Sequence, residues 1–169
     1  MQSPHPLDFD LAYDRYADGI YRFCYRLTGR TQDAEDLVQE TFLAALRGRE
    51  QFQSRSSDAT WLYRIARNKA IKLLRRRSLE DRFWFRLKED SINAETQAFA
   101  DESLSHLQLP LREAFLLVKV EGFTSGEAAQ ILKIPEGTVR FRIHQAVIQL
   151  RSYWQGADEV ASKGVPHAV

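Results

Sequence analysis

The stretch that decides the fold is Gly122–Leu150, GFTSGEAAQILKIPEGTVRFRIHQAVIQL. Thr124 and Glu127 stand at the S/T-x-x-E spacing of a capping box, whose hydroxyl and carboxylate reciprocally satisfy N–H groups left over at a helix start. Ala128, Ala129, Ile131 and Leu132 follow, small where two helices must cross closely and large where they fill a core. Pro135 stops that helix, because the residue before a proline is pushed away from helical geometry. Val139, Ile143, Ala146, Val147 and Leu150 then recur at helical spacing and make one narrow apolar stripe. Arg140, Phe141, Arg142, His144 and Gln145 lie off the stripe, where the side chains of a groove-bound helix reach base edges. Alone, the pattern fits either a helical hairpin inside a bundle or a helix-turn-helix that reads DNA.

Composition narrows the choice. With 169 residues, 44% of them hydrophobic, the chain can fill one medium core or two small ones, which argues against wholesale disorder. No apolar run approaches the roughly eighteen residues of a membrane span, and the N-terminal stretch does not read as a signal peptide, so a cytoplasmic protein without membrane insertion is expected. The single cysteine, Cys24, falls in an apolar helical pattern and reads as a core residue. The formal net charge of +1 conceals an asymmetry. Asp33–Glu40 holds four acids and no base, whereas Trp61–Arg77 holds seven bases and no acid. One surface therefore suits a basic partner and another suits polyphosphate.

Helical periodicity runs through the chain with no convincing strand, which predicts an all-α fold. Phe9, Tyr13, Tyr16, Ile20, Phe23 and Leu27 mark a first amphipathic helix, stopped by Gly29. Thr31 is placed to cap a second, whose first turn carries Asp33, Glu35 and Asp36 and whose apolar face is Ala34, Leu37, Val38, Phe42 and Ala45. The polar Gly48–Ala59 reads as a loop, and a third helix runs from about Thr60 to Arg77. Residues 8–78 thus form one helical domain. Residues 79–102 read as a linker with an apolar knot at Phe83, Trp84 and Phe85. Residues 103–155 form a second domain, in which Pro110 opens a helix carrying Leu111, Phe115 and Val118, ended by Gly122, before the helix-turn-helix. Residues 156–169 read as a frayed tail.

On a helical wheel, Leu62, Tyr63, Ala66, Ala70, Leu73 and Leu74 of the third helix share an arc of about 120°. Arg64, Arg67, Asn68, Lys72 and Arg75 share an arc of about 140° opposite, with Trp61 projecting near it at the helix start. Cations neutralise phosphates without reading sequence, while an amide and an aromatic group engage a base drawn out of the stack. A solvated basic face is the plainer alternative. In the second helix Glu35, Asp36, Gln39 and Glu40 crowd the apolar seam, as a solvated face or as a surface that steers a basic partner helix. There is no glycine-rich phosphate loop, no H-E-x-x-H and no Cys/His metal spacing, so neither an enzyme, a metal nor a cofactor is expected.

DAEDLVQETFLAAL at 33–46, followed by WLYRIARNKAIKLLRRR at 61–77, resembles sigma region two. LPLREAFLL and EAAQILKIPEGTVRFRIHQA resemble sigma region four. Their order and short spacing are similar to the extracytoplasmic-function, or group four, sigma factors of bacterial RNA polymerase, over roughly Asp8–Tyr153. The resemblance implies a subunit that directs core polymerase to specific promoters and initiates transcription. The alternative is an autonomous helix-turn-helix regulator, which normally dimerises to read paired half-sites. It implies that Asp36, Gln39 and Glu40 contact the clamp coiled coil of the largest polymerase subunit. It assigns Trp61, Arg64, Ile65, Arg67, Asn68, Lys72 and Arg75 to the −10 element, with Asn68 over Ile65 holding a flipped base. It assigns Arg140, Phe141, Arg142, His144 and Gln145 to the −35 element, and implies capture by an anti-sigma factor. In the free chain the expectation is that the two domains pack on each other or are held by such a partner.

Overall fold

Asp8 opens the first helix, α1 (Phe9–Thr28), its carboxylate accepting the Leu11 N–H at 3.2 Å. Gly29 closes it in the left-handed region at φ 73°, where a Cβ would be strained, and its N–H returns to the Tyr25 carbonyl. The computed structural model describes residues 8–48, 56–84 and 103–163. The second helix, α2 (Thr31–Gly48), takes Thr31 as its first residue instead of its cap. The third, α3 (Asp58–Trp84), begins two residues earlier than the periodicity suggested, because Ser57 accepts the Thr60 N–H at 3.2 Å. It also runs past Arg77 to Trp84, since no glycine or proline interrupts Ser78–Trp84. The linker beyond Trp84 and the side chains of Phe83, Trp84 and Phe85 lie outside the described residues, as does most of the polar loop before α3.

Ile20, Phe23, Cys24 and Leu27 of α1 meet Ala34, Leu37, Phe42 and Ala45 of α2 and Leu62, Ala66 and Ala70 of α3 in one core. Each large side chain buried there contributes about 1.5–3 kcal/mol. The first half of α1 is looser than its pattern implied. Ala12 is buried, while Tyr13 is half exposed and leans its ring on Phe42 at 4.8 Å.

The second unit starts with a helical turn at 103–105 and then α4 (Leu109–Phe115), with Pro110 in its first turn. α4 continues into a π-helical segment, Leu116–Val120, which the sequence did not announce. The wider turn shifts the phase of the helix, so Leu116 and Leu117 are fully buried while Leu111, Phe115 and Val118 are only half buried. Gly122 ends the helix at φ 79°. The predicted capping box is present in α5 (Ser125–Leu132), where Glu127 N–H reaches the Thr124 hydroxyl and Glu127 accepts the Thr124 N–H at 2.8 Å. Lys133, left-handed at φ 55°, turns the chain into α6 (Glu136–Lys163), which passes Gly156 and extends into the expected tail. A single interior glycine costs a helix only about 1 kcal/mol. Among the described residues there is no strand.

The two units pack together through α3 and α5. Tyr63 of α3 lies between Phe23 of α1, at 5.5 Å, and Phe123 of the second unit, at 4.8 Å edge to face. Their hydrophobic cores therefore join into one cluster.

Candidate nucleic-acid interface

The recognition helix α6 places its residues as its stripe requires. Val139, Ala146 and Leu150 are buried and Ile143 packs beside them, which turns the opposite face to solvent. Phe141 is 62% exposed, an apolar ring held out in water. Arg140 and His144 are exposed, with Arg142 and Gln145 half buried at the edges of the stripe. Arg140 pairs with Glu136 one turn earlier, an i,i+4 contact that holds the guanidinium along the helix. The candidate base-reading residues thus lie on one helix, with Arg140, Phe141 and His144 in solvent and Arg142 and Gln145 at the edges of that surface.

The cationic face of α3 is different. Asn68, Lys72 and Arg75 are exposed, and Arg64 and Ile65 half buried. Trp61 does not project near the stripe. It is 8% exposed and packed in the core, close to Gly48. Nor are all seven bases unopposed, as the linear sequence suggested. Lys69 meets Glu40 at 2.9 Å, Arg77 pairs with the buried Asp33, and Arg67 forms a two-pronged pair with Glu113. Arg64, Lys72 and Arg75 make no ion pair with a described residue. Asn68 accepts a long contact from Arg67 at 3.4 Å and is otherwise directed to solvent.

On α2, Glu35, Asp36, Gln39 and Glu40 are all exposed, as the pattern required. Gln32 holds Asp36 at 3.4 Å. The same face continues beyond the acids into Leu43 and Leu46, both about half exposed. With Phe9, Tyr13 and Phe42 they line an open cleft of about 400 Å³ beside Gln39. Sequence reading missed this apolar extension. Leu43 and Leu46 sit three apart and off the buried stripe, and that was the available signal. The acids Glu113 and Glu121, which face α3, were also missed. Their one signal was a carboxylate at each end of an apolar run, EAFLLVKVE. Burial raises the Tyr63 hydroxyl above the ordinary phenol range, and the hydrogen bond to Glu121 raises it further. Burial also pushes the Cys24 thiol up to about 12, with the charge of Glu121 adding to it.

Comparison with known proteins gives this geometry a family. Residues 12–80 match Sigma-70 region 2, and residues 100–150 match Sigma-70 region 4. The ECF RNA polymerase sigma factor SigE of Mycolicibacterium smegmatis is 35% identical over 155 residues, covering 82% of this chain, which spans 58% of that relative's length. The ECF RNA polymerase sigma factor SigM of Mycobacterium tuberculosis is 31% identical over 149 residues, covering 84% of this chain and 74% of its own. Among solved structures, the sigma factor RpoE of Bartonella quintana, determined with the anti-sigma factor NepR, superposes with a TM-score of 0.76 at 25% identity, over 88% of this chain and 97% of that one. With both regions present in order, and a relative matched at this level over most of its length, the chain belongs to the extracytoplasmic-function sigma factors of RNA polymerase, the sigma-70-family subunits that direct core enzyme to promoters.

Proposed function

We propose that this sigma factor divides its work among three surfaces: α2 for core polymerase, α3 for the −10 element and α6 for the −35 element. The observation that carries the reading is that each helix buries one face and turns candidate residues to solvent on the other: Asp36, Gln39 and Glu40 on α2, Asn68, Lys72 and Arg75 on α3, and Arg140, Phe141 and His144 on α6. Asp36, Gln39 and Glu40 engage the basic clamp coiled coil of the largest polymerase subunit, and the Leu43–Leu46 cleft beside them receives its apolar side chains. Charges steer the encounter and the apolar cleft holds it. Arg64, Arg67, Lys72 and Arg75 neutralise phosphates of the melted strand. Asn68 and Ile65 contact the flipped −10 base, and the buried Trp61 supports the start of that helix from within. Arg140, Arg142, His144 and Gln145 read −35 base edges, and Phe141 meets thymine methyl groups. Residues 8–78 and 103–155 serve as the two DNA-binding domains. The role is that of an initiation subunit and not a catalyst, and it is exercised in the cytoplasm, where polymerase is.

The solved relative bound to NepR supports an anti-sigma partner for this chain as well. An autonomous regulator is the poorer reading, because it leaves the exposed acid-and-leucine face of α2 without a use. The test is assembly with core enzyme. Asp36→Lys with Glu40→Lys is expected to weaken core binding by several kcal/mol, as reversal of charge at a desolvated interface does, with helical content unchanged. The intramolecular Glu40–Lys69 pair lost in that variant is more than half exposed on the acid side and so contributes little to the fold. Native affinity for core in the double variant would overturn the assignment of α2.

A further inference from the structure

Two acids of the second domain meet one strip of α3 in the first. Glu113, 2% exposed, receives Arg67 Nε and Nη2 on its two oxygens at 2.7 and 3.1 Å. One turn earlier on α3, the Tyr63 hydroxyl donates to Glu121 Oε2 at 2.7 Å, and Arg26 of α1 stands 4.0 Å from the other oxygen. Tyr63 and Arg67 are four apart and share a face. Glu113 and Glu121 are eight apart, and in a regular α-helix they would diverge by about 80°. The π segment Leu116–Val120 lies between them. Each residue of such a wide turn rotates about 18° less than an α-helical one, so the segment recovers about 90°. It brings the two acids onto one line, opposite the Tyr63–Arg67 strip.

The geometry points to a latch: Glu113 on Arg67 and Glu121 on Tyr63 close the two domains on each other and withhold Arg67 from the −10 strand. The inference rests on the reading of Arg67 as a phosphate contact. Carboxylates suit a seam that must reopen. Desolvating two acids on closure offsets much of the attraction, and both regain water on opening. A purely apolar seam would not reopen so readily. A backbone phosphate offers the Arg67 fork the same paired oxygens that Glu113 does, so strand and acid compete for one guanidinium. Glu113 left in place would also repel the strand. DNA engagement and closure are therefore mutually exclusive at this residue.

The test uses the full chain with a donor–acceptor pair at Asp14→Cys and Gln149→Cys, exposed positions in the two domains, Cys24 being buried. The DNA probe is a random-sequence single-stranded 20-mer followed by anisotropy. Glu113→Gln with Glu121→Gln is expected to lower energy transfer and to tighten oligonucleotide binding at least tenfold. Glu35→Gln with Asp18→Asn, exposed acids outside the seam, sets the effect of charge alone. Arg67→Gln is expected to lower transfer equally without the gain in binding. Unchanged transfer in both seam variants overturns the latch, and lower transfer with binding no tighter than in the charge control overturns the withholding. If Arg67→Gln opens the protein and tightens binding as much as the acid variants do, the latch stands and Arg67 is not a DNA contact. Should the acid variants lose helical content, Arg67→Gln alone decides closure from the half-exposed side of the seam.

Discussion

The recognition helix α6 and the cationic helix α3 look alike in sequence, each with arginines near an aromatic residue, yet they meet their surroundings differently. On α6 the ion pair among the described residues is local, Arg140 to Glu136 one turn away, and Phe141 and His144 stand in solvent. On α3, Arg67, Lys69 and Arg77 are claimed by acids on two other helices, Glu113 on α4 and Glu40 and Asp33 on α2. A surface organised by one helix is displayed in the free chain as it will be used. One organised by tertiary pairing displays fewer charges than it carries, and the balance appears only when partners change. If α6 reads −35 DNA as proposed, it needs no rearrangement to do so, whereas engagement of −10 DNA by α3 would require Glu113 to be displaced from Arg67.

The widest break in the comparison would come from promoter discrimination. Asn68→Ala is expected to relax preference at a single −10 position by about 1–3 kcal/mol, as loss of one base-edge contact does. Arg64→Ala and Arg75→Ala should weaken binding evenly across promoters, each lowering the dependence of log affinity on log salt by about one. Transcription by reconstituted holoenzyme from promoters carrying every base at each −10 position separates the two behaviours. A uniform loss with Asn68→Ala would make it a helix-face residue and leave α3 with phosphate contacts alone.

The same contrast explains what was legible in the sequence. The capping box at Thr124, the stop at Gly29 and the α6 stripe depend on residues within a few positions of one another, and all were found in place. The exposed acids of α2 followed from its apolar face in the same way. Trp61 did not. An aromatic residue at a helix start is assigned to the wheel's outer edge only if nothing packs over it, and Trp61 lies in the core near Gly48. Arg67, Lys69 and Arg77 of α3 looked unopposed because their acids lie 29 to 46 residues away in sequence. The π segment had no precursor either: Leu116–Val120 reads as an ordinary apolar helix, and its widening serves an alignment made only across the domain seam.

The groups around Glu121 also give the chain a response to alkali. Cys24 is held protonated up to about pH 12, by burial first and then by the charge of Glu121, and Tyr63 is held protonated by burial and its bond to Glu121. An unfolded thiol ionises near its ordinary value of 9.0. Above that pH the folded chain binds more protons than the unfolded one, so stability is complete below about pH 9 and falls as pH rises toward 12. The slope is about 1.4 kcal/mol per pH unit for each group once its unfolded form has ionised. Denaturant midpoints from pH 8 to 10.5 should therefore decline in the native chain and decline less in Cys24→Ala. Equal slopes would show that ionisation elsewhere governs the loss.

The smallest effect expected is also the sharpest probe of the seam, because two opposing contributions meet at Gly19. A Cβ at this α1 position would lie 2.4 Å from the Tyr63 hydroxyl oxygen, closer than the atoms allow. Glycine to alanine in a helix interior ordinarily gains about 1 kcal/mol. Here the hydroxyl cannot simply swing aside, since its ring is packed between Phe23 and Phe123 and its proton is committed to Glu121. Forcing such a group costs about 1–3 kcal/mol, so Gly19→Ala should destabilise the chain by about 1 kcal/mol net. Tyr63→Phe removes the oxygen that clashes, and in that background the same Gly19→Ala should recover the helix gain and become stabilising. A double-mutant cycle by chemical denaturation measures the difference as a coupling between the two positions. Additive effects would mean that α1 shifts to admit the methyl, and that the Tyr63–Glu121 contact is not held as rigidly as its packing implies.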